Sequence, residues 1–280
     1  MNLGIVGQGF VGTAVKEIMS NYYKVNTFDI KKECTCNSLH ELVNYSDIIF
    51  VCVPTPMNND GSCYLGIVED VIKQINSMSE KGKIVVIKST VVPGTTERLN
   101  KENKNIHIVF NPEFLTEANF VEDFKNQDRI IIGGPRTATT KVRQMFSVAF
   151  PETPIVKTSS TIAEMVKYMT NTFLATKVSF ANEIKMICDK LNIDYDKVVE
   201  YSTYDERLGK SHWAVPGPDG HYGFGGSCFP KDIHALVHLC SELNIPENIL
   251  SSAIDINFRV RPEEDWKELK GRAVVDEKKA

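Results

Sequence analysis

The most chemically pointed stretch of this 280-residue sequence is Gly223-Phe224-Gly225-Gly226-Ser227-Cys228-Phe229-Pro230-Lys231-Asp232. Its three glycines let backbone approach a ligand closely. Pro230 suits the first position of a helix, which puts Cys228 at a helix N-terminus near the Lys231 ammonium. Both features favour the thiolate, and the thiolate is the nucleophile. Asp232, one helical turn on, can act as a base or orient a water. The blander alternative is a structural cysteine beside a turn.

Two further groups could do chemistry. Lys167 and Asn171 are four apart in a helical stretch and share a face. A lysine there can balance an oxyanion and an amide can orient a hydroxyl or a water, although two such residues alone also suit a solvated face. Asn111-Pro112-Glu113-Phe114-Leu115-Thr116-Glu117 follows a strand at its carboxyl end, where ligand sites of α/β proteins form. Glu113 and Glu117 could serve binding and proton transfer, or could be first-turn helix acids.

Gly7-Gln8-Gly9-Phe10-Val11-Gly12 follows the first expected strand and opens a helix, the context in which G-x-G-x-x-G binds a dinucleotide. The first glycine permits the turn, the second lets a pyrophosphate approach, and the third lets helix and strand pack. The helix N-terminus adds amide donors and a positive dipole end. Asp29 ends the second strand, where an acid meets a ribose 2′-hydroxyl and repels a 2′-phosphate. NAD is therefore favoured over NADP, with Lys31 and Lys32 weakening that preference slightly.

Elements must position these groups. Runs rich in Ile and Val predict strands at 3–6, 24–28, 48–53, 84–87, 106–110 and 129–132. They lack polar alternation, so both faces should be covered. Helical stretches such as 12–20 and 64–78 separate them, which implies a parallel, doubly wound sheet. The pattern changes near 151–158. From 161 to 191 the chain has no Pro or Gly and keeps a helical period, with Thr161 and Glu164 spaced as a capping box. Shorter helices are expected at 196–202, 232–243 and 246–258. The domain reading is an NAD-binding unit at 1–158, a helical domain carrying Cys228 at 159–260, and a charged, peripheral tail at 261–280.

Composition excludes some classes. With 32 Lys+Arg and 36 Asp+Glu the formal charge is −4, which argues against nucleic acid or an acidic membrane as the main partner. No apolar run approaches the ~18 residues of a membrane helix, and the N-terminus does not read as a signal peptide. A cytoplasmic protein is expected, with its seven cysteines reduced. His234 and His238 are four apart but lack a third ligand at a suitable spacing, so no metal site is expected.

Taken in order, Gly7–Gly12, Asp29, Val53-Pro54-Thr55-Pro56, Ser89-Thr90 with Pro93-Gly94, Asn111–Glu117, Lys167 with Asn171, and Gly223–Asp232 resemble the nucleotide-sugar dehydrogenase family of UDP-glucose and GDP-mannose dehydrogenases. The UDP-glucose branch is the nearer match. The resemblance covers about residues 1–260 and implies an α/β fold: a Rossmann-type domain, then a mostly helical domain around a long central helix. It also implies oxidation of a nucleotide sugar's primary alcohol to a carboxylate with two NAD and one water. Cys228 would form a thiohemiacetal and then a thioester. Lys167 and Asp232 would handle protons and oxyanion charge, Asn171 would position substrate or water, and Glu113 would be the acid/base of thioester hydrolysis. Gly7, Gln8, Gly9, Phe10, Val11, Gly12, Asp29, Val53, Pro54, Thr55, Ser89, Thr90, Glu117 and Lys231 would line the NAD site. Glu113, Phe114, Leu115, Lys167, Asn171, Tyr222, Gly223, Phe224 and Gly225 would meet the sugar nucleotide. In keeping with the family, a homodimer packed on the long helix is expected. Family members usually continue into a third domain, for which residues 1–280 hold no room, and residues 212–220 replace a shorter family segment. Two other readings stay open: a two-electron hydroxyacid dehydrogenase like 6-phosphogluconate dehydrogenase, and a truncated NAD-binding regulatory protein without activity.

Overall fold

Alternate residues of a strand face opposite sides of a sheet, so a strand apolar at every position must be covered on both. The computed structural model, which describes residues 1–276, places seven strands in this situation or at its edges. They are β1 (Asn2–Val6), β2 (Lys24–Phe28), β3 (Ile48–Val51), β4 (Lys83–Ile87), β5 (Ile106–Phe110), β6 (Ile130–Gly133) and β7 (Ile155–Thr158). They form one sheet in the order β2-β1-β3-β4-β5-β6-β7. Neighbours are parallel except β5 and β6, which meet through one antiparallel pair, Phe110 with Gly133. The expected sheet is therefore confirmed with that exception. β7 escaped the sequence pattern because only an edge is asked of it: Val156 and Lys157 are exposed.

The helices of this half are α1 (Phe10–Met19), α2 (Leu39–Tyr45), α3 (Gly66–Met78), α4 (Thr95–Glu102), α5 (Phe120–Lys125), α6 (Arg136–Ala149) and the start of α7 (Ser160–Leu191). One apolar layer joins Ile5, Phe50 and Val86 to Val15 of α1 and Phe146 of α6. The other joins their strand neighbours Val6, Val51 and Val85 to Leu42, Ile72 and Leu99 of α2, α3 and α4. This is the doubly wound arrangement that the strand composition requires.

α7 runs for 32 residues, as its lack of Pro and Gly predicts. Its N-terminus is not the capping box expected of Thr161 and Glu164. Ser159 Oγ instead accepts from the Ile162 amide at 3.2 Å. Glu164 is fully buried and accepts from the amides of Gly94 (2.7 Å) and Thr96 (2.8 Å). Its carboxylate thus caps α4, a helix with no side-chain cap of its own. Glu164→Ala should leave two amides unpartnered and lower stability by about 2–3 kcal/mol, read by urea or thermal denaturation.

The chain divides into two compact units inside α7, between Lys167 and Tyr168, and Pro56–Tyr64 groups with the second unit. The boundary expected at 158/159 thus falls one residue before α7. The second unit is helical, with the rest of α7, α8 (Tyr195–Ser202), α9 (Phe229–Glu242) and α10 (Asn248–Val260). Ala175, Phe224, Ile233, Ala253 and Ile254 form its core. The stretch from Arg261 is not a peripheral tail as far as it is described. Trp266 is buried and stacks on Phe258, and Ala273 and Val275 pair through their backbone with Met57. Residues 277–280 lie outside the described residues.

Candidate active site

The glycine loop of the first unit leaves β1 with Gly7 at φ +91°, a conformation that L side chains rarely adopt. A Cβ on Gly12 would stand 1.9 Å from the Gly7 carbonyl oxygen, whereas one on Gly9 would meet nothing within 4 Å. The third glycine is thus a packing requirement, and the second faces open space. α1 begins there with no side-chain cap and no acid in its first turn. Asp29 Oδ2 accepts from the Gln8 amide and Oδ1 from the Lys31 amide, both at 2.7 Å. Lys32 Nζ donates to the Gln8 carbonyl at 2.5 Å. The acid therefore braces the loop with part of its acceptor capacity, and a carboxylate oxygen can accept more than one bond. An open glycine, uncapped helix amides and a nearby acid fit an NAD dinucleotide, with Gly7–Gly12 and Asp29 as the residues that would hold it.

The remaining residues assigned to the cofactor lie in this unit, apart from Lys231. Val11 is half-buried and Phe10 leans on Phe120, ring centroids 5.1 Å apart. Val53, Pro54 and Thr55 follow β3; Ser89 and Thr90 follow β4. Ser89 Oγ donates to the Val53 carbonyl at 2.6 Å, just beyond β3, which ends at Val51 rather than at the expected residue 53. Glu117 is exposed.

Glu113 leaves the end of β5 and meets the start of α7. Lys167 Nζ donates to Glu113 Oε1 at 2.9 Å and to its carbonyl at 2.6 Å, and the Leu115 amide donates to Oε2 at 2.8 Å. Burial pushes this carboxyl up, but Lys167, the Leu115 amide and Lys88 outweigh it and hold it below the ordinary carboxylate range. Phe114 is half-buried, with the Arg129 guanidinium 4.4 Å from its ring centroid. Lys88 was missed at the sequence level. One lysine after an apolar strand carries no local sign of being buried.

In the second unit Cys228 is the N-cap of α9, and Pro230 takes the second helical position rather than the first. Asp232 is buried and its two oxygens have different partners. Lys231 Nζ donates to Oδ1 at 2.5 Å and Asn171 Nδ2 to Oδ2 at 2.6 Å. Burial disfavours the Lys231 ammonium, but the charges of Asp232, Cys228 and Cys63 outweigh it and raise its proton affinity above that of an ordinary lysine. A positive charge is thereby held next to the helix N-terminus that carries the sulfur.

The glycine-rich segment before Cys228 is held by two asparagines that sequence reasoning missed. Asn257 accepts from the Phe224 amide at 2.7 Å and donates to its carbonyl at 3.0 Å. Asn182 accepts from the Gly223 amide at 3.1 Å. An amide on an otherwise apolar helix face was the available signal. The Phe224 side chain belongs to the core, and Asn257 engages both of its backbone polar groups. Tyr222 is exposed and Gly225 half-buried. Arg261, also missed, is buried and donates to Asp219 and Asp265 at 2.7–2.8 Å.

His234 Nδ1 lies 2.7 Å from the Pro230 carbonyl, and His238 is near Asp60 and Glu242. Among the described residues no three His, Cys, Asp or Glu gather as a metal site would need, and no helix is long and apolar enough to cross a membrane.

Residues 25–149 match the NAD-binding domain of the UDP-glucose/GDP-mannose dehydrogenase family, and residues 161–259 match its central domain. UDP-glucose 6-dehydrogenase TuaD of Bacillus subtilis is 34% identical over 80% of this chain and 49% of its own length. UDP-glucose 6-dehydrogenase AglM of Haloferax volcanii is 30% identical over 92% of this chain and 69% of its own. The structure of a UDP-glucose dehydrogenase from Pyrobaculum islandicum superposes with a TM-score of 0.84 at 29% identity, over 92% of this chain and 68% of that one. The chain spans about half the length of several curated relatives it matches. With the two domain models together matching most of the chain and AglM matched over more than two thirds of its length, this chain belongs to the UDP-glucose/GDP-mannose dehydrogenase family.

Proposed function

We propose that this chain carries the NAD-dependent, four-electron oxidation of a nucleotide sugar, UDP-glucose to UDP-glucuronate, through covalent adducts on Cys228. The observation that carries this reading is the cysteine at the α9 N-terminus beside Lys231, Asp232 and Asn171. The choice of UDP-glucose rests on the names of the relatives. NAD, when bound, supplies a hydride acceptor, used twice per sugar.

The residues divide the work as follows. Asp232 takes the proton of the primary alcohol as it becomes an aldehyde, and Lys167 balances negative charge on the reacting oxygen. Cys228 Sγ then bonds to the aldehyde carbon, and the former carbonyl oxygen takes a proton. A bare aldehyde is a poor hydride donor; this thiohemiacetal is a good one. Its second oxidation leaves a thioester on the same sulfur. Water, deprotonated by Glu113, adds to the thioester carbon, the C–S bond breaks, and the thiolate returns. Glu113 suits that step because its environment holds it ionised. Asn171 orients substrate or water. Thr55, Thr90, Glu117 and Lys231 serve the NAD side, and residues 219–225 cover the sugar nucleotide. The purified chain, given NAD with UDP-glucose, GDP-mannose or UDP-N-acetylmannosamine, should form two NADH per molecule of its own sugar. One NADH per substrate would point to a two-electron dehydrogenase, and none with any sugar to a binding protein.

The chain acts as a homodimer. Ile162, Met165, Met169, Phe173 and Phe180 of α7 are each 43–69% exposed and recur at helical spacing. A second copy would cover this stripe. Sizing with light scattering should give twice the chain mass, and Met169→Asp with Phe173→Asp should give a monomer. A monomeric wild type would reject the pairing.

A further inference from the structure

Lys88 is a buried lysine that the scheme above leaves unused. It directly follows β4 and is 2% exposed. Its Nζ donates to Asn111 Oδ1 at 2.8 Å and lies 3.4 Å from the Pro112 carbonyl oxygen. Asn111 in turn donates from Nδ2 to the Ile131 carbonyl at 2.7 Å. One ammonium thus ties the ends of β4, β5 and β6 together at the turn from which Glu113 departs. Among the described residues no carboxylate lies within ion-pair distance of Lys88. A buried ammonium paired only with neutral oxygens is costly to keep.

Its charged and titratable neighbours come from three elements. Cys52 follows β3, Glu113 follows β5, and Lys167 is on α7; the Phe124 ring of α5 lies 5.6 Å from Nζ. Burial pushes the Cys52 thiol up to about 12, so it stays neutral. Among the described residues Glu113 is the carboxylate whose charge acts on Lys88, while Glu122, Asp123, Asp128 and Arg129 line the same cavity, and Lys167 already engages Glu113 directly.

We infer that Lys88 is a positioning residue for Glu113: its ammonium fixes the Asn111–Pro112 turn and supplies the second positive charge that keeps the Glu113 carboxylate ionised. The inference deepens the reading of Glu113 as the hydrolytic base and rests on that reading for its kinetic consequence alone. Burial lowers Lys88 to about 8, with Cys52 and Glu113 opposing and Lys167 adding to the fall. As pH rises through that value the ammonium becomes neutral, its bond to Asn111 loses the charge that strengthens it, the turn that carries Glu113 is held less firmly, and hydrolysis of the thioester slows.

The test is a pH titration of Glu113 in the intact chain carrying carbon-13-labelled glutamate, its signal identified by its absence in Glu113→Gln. The wild-type signal should titrate below ordinary glutamate and move again near pH 8. In folded Lys88→Met the carboxyl should bind its proton about tenfold more tightly, and the movement near pH 8 should vanish. Lys88→Arg, which stays charged, should keep the low titration, lose the movement near pH 8 and lose the alkaline fall in kcat. It carries the test if Lys88→Met does not fold. An unmoved Glu113 titration in folded Lys88→Met, or a persisting movement near pH 8 in Lys88→Arg, overturns the inference. If no nucleotide sugar is turned over at all, the proposed function fails while the titration still decides the part played by Lys88.

Discussion

Cys228→Ser should stop release of the sugar acid, lowering its rate at least about a thousandfold. A serine hydroxyl ionises far less readily than a thiol, and an alkoxide is a much poorer leaving group than a thiolate, so both formation and cleavage of the adduct suffer. The first oxidation needs neither. The variant should still make one NADH per sugar, and the aldehyde should be recoverable with a hydrazide trap. Serine is nearly the size of cysteine and Cys228 is half-buried, so thermal stability should hardly change. Two NADH and a normal yield of acid from Cys228→Ser would remove the sulfur from the mechanism while leaving the dinucleotide fold untouched.

The second large effect lies at Gly12. A methyl group there would sit 1.9 Å from the Gly7 carbonyl oxygen. That oxygen is backbone, on a residue at φ +91° whose own Cα side is closed by the Cys52 carbonyl. Nothing can swing away, so loop and helix must separate. Gly12→Ala should cost about 1–3 kcal/mol of stability and weaken NAD roughly a hundredfold, because the amides of α1 no longer point where the pyrophosphate needs them. Gly9→Ala is the control within the same loop. Gly9 has an ordinary φ of −72° and open space around it. Its alanine variant should melt like the wild type and lose NAD affinity only, since the methyl group intrudes where the ligand approaches. Thermal melts and calorimetric NAD titrations check both. Equal melting and equal affinity for Gly12→Ala and wild type would reject the packing assigned to the third glycine.

The site divides along the same line as these two predictions. Gly7–Gly12, Asp29, Cys228 and Asp232 were legible because local spacing announces them: a strand, a glycine turn and a helix start are each written within about ten residues. Lys167 and Asn171 were legible only as a shared helix face. Their partners, Glu113 at 54 residues' separation and Asp232 at 61, leave no trace in the spacing. Glu164 misled for a related reason. It sits three residues after Thr161, where a capping acid belongs, yet its acceptors serve amides 68 and 70 residues earlier. Local geometry permitted the box, and the long-range bonds, fully buried, were worth more.

What the amino-acid order alone determined is the set of strands and helices, the covering of both sheet faces, the glycine turn, and the thiol at a helix N-terminus. These follow from periodicity, backbone sterics and local hydrogen bonding, which act over a few residues. What only the tertiary structure decided is which charges meet and which polar groups go inside: Glu113 with Lys167, Asp232 between Lys231 and Asn171, Asn182 and Asn257 on the glycine-rich segment, Lys88 beneath its turn, and Arg261 and Trp266 in a stretch that reads as a charged tail. A polar side chain looks the same in sequence whether it faces water or a buried partner. Its desolvation is offset only by groups that distant parts of the chain bring to it, and that compensation exists only in three dimensions.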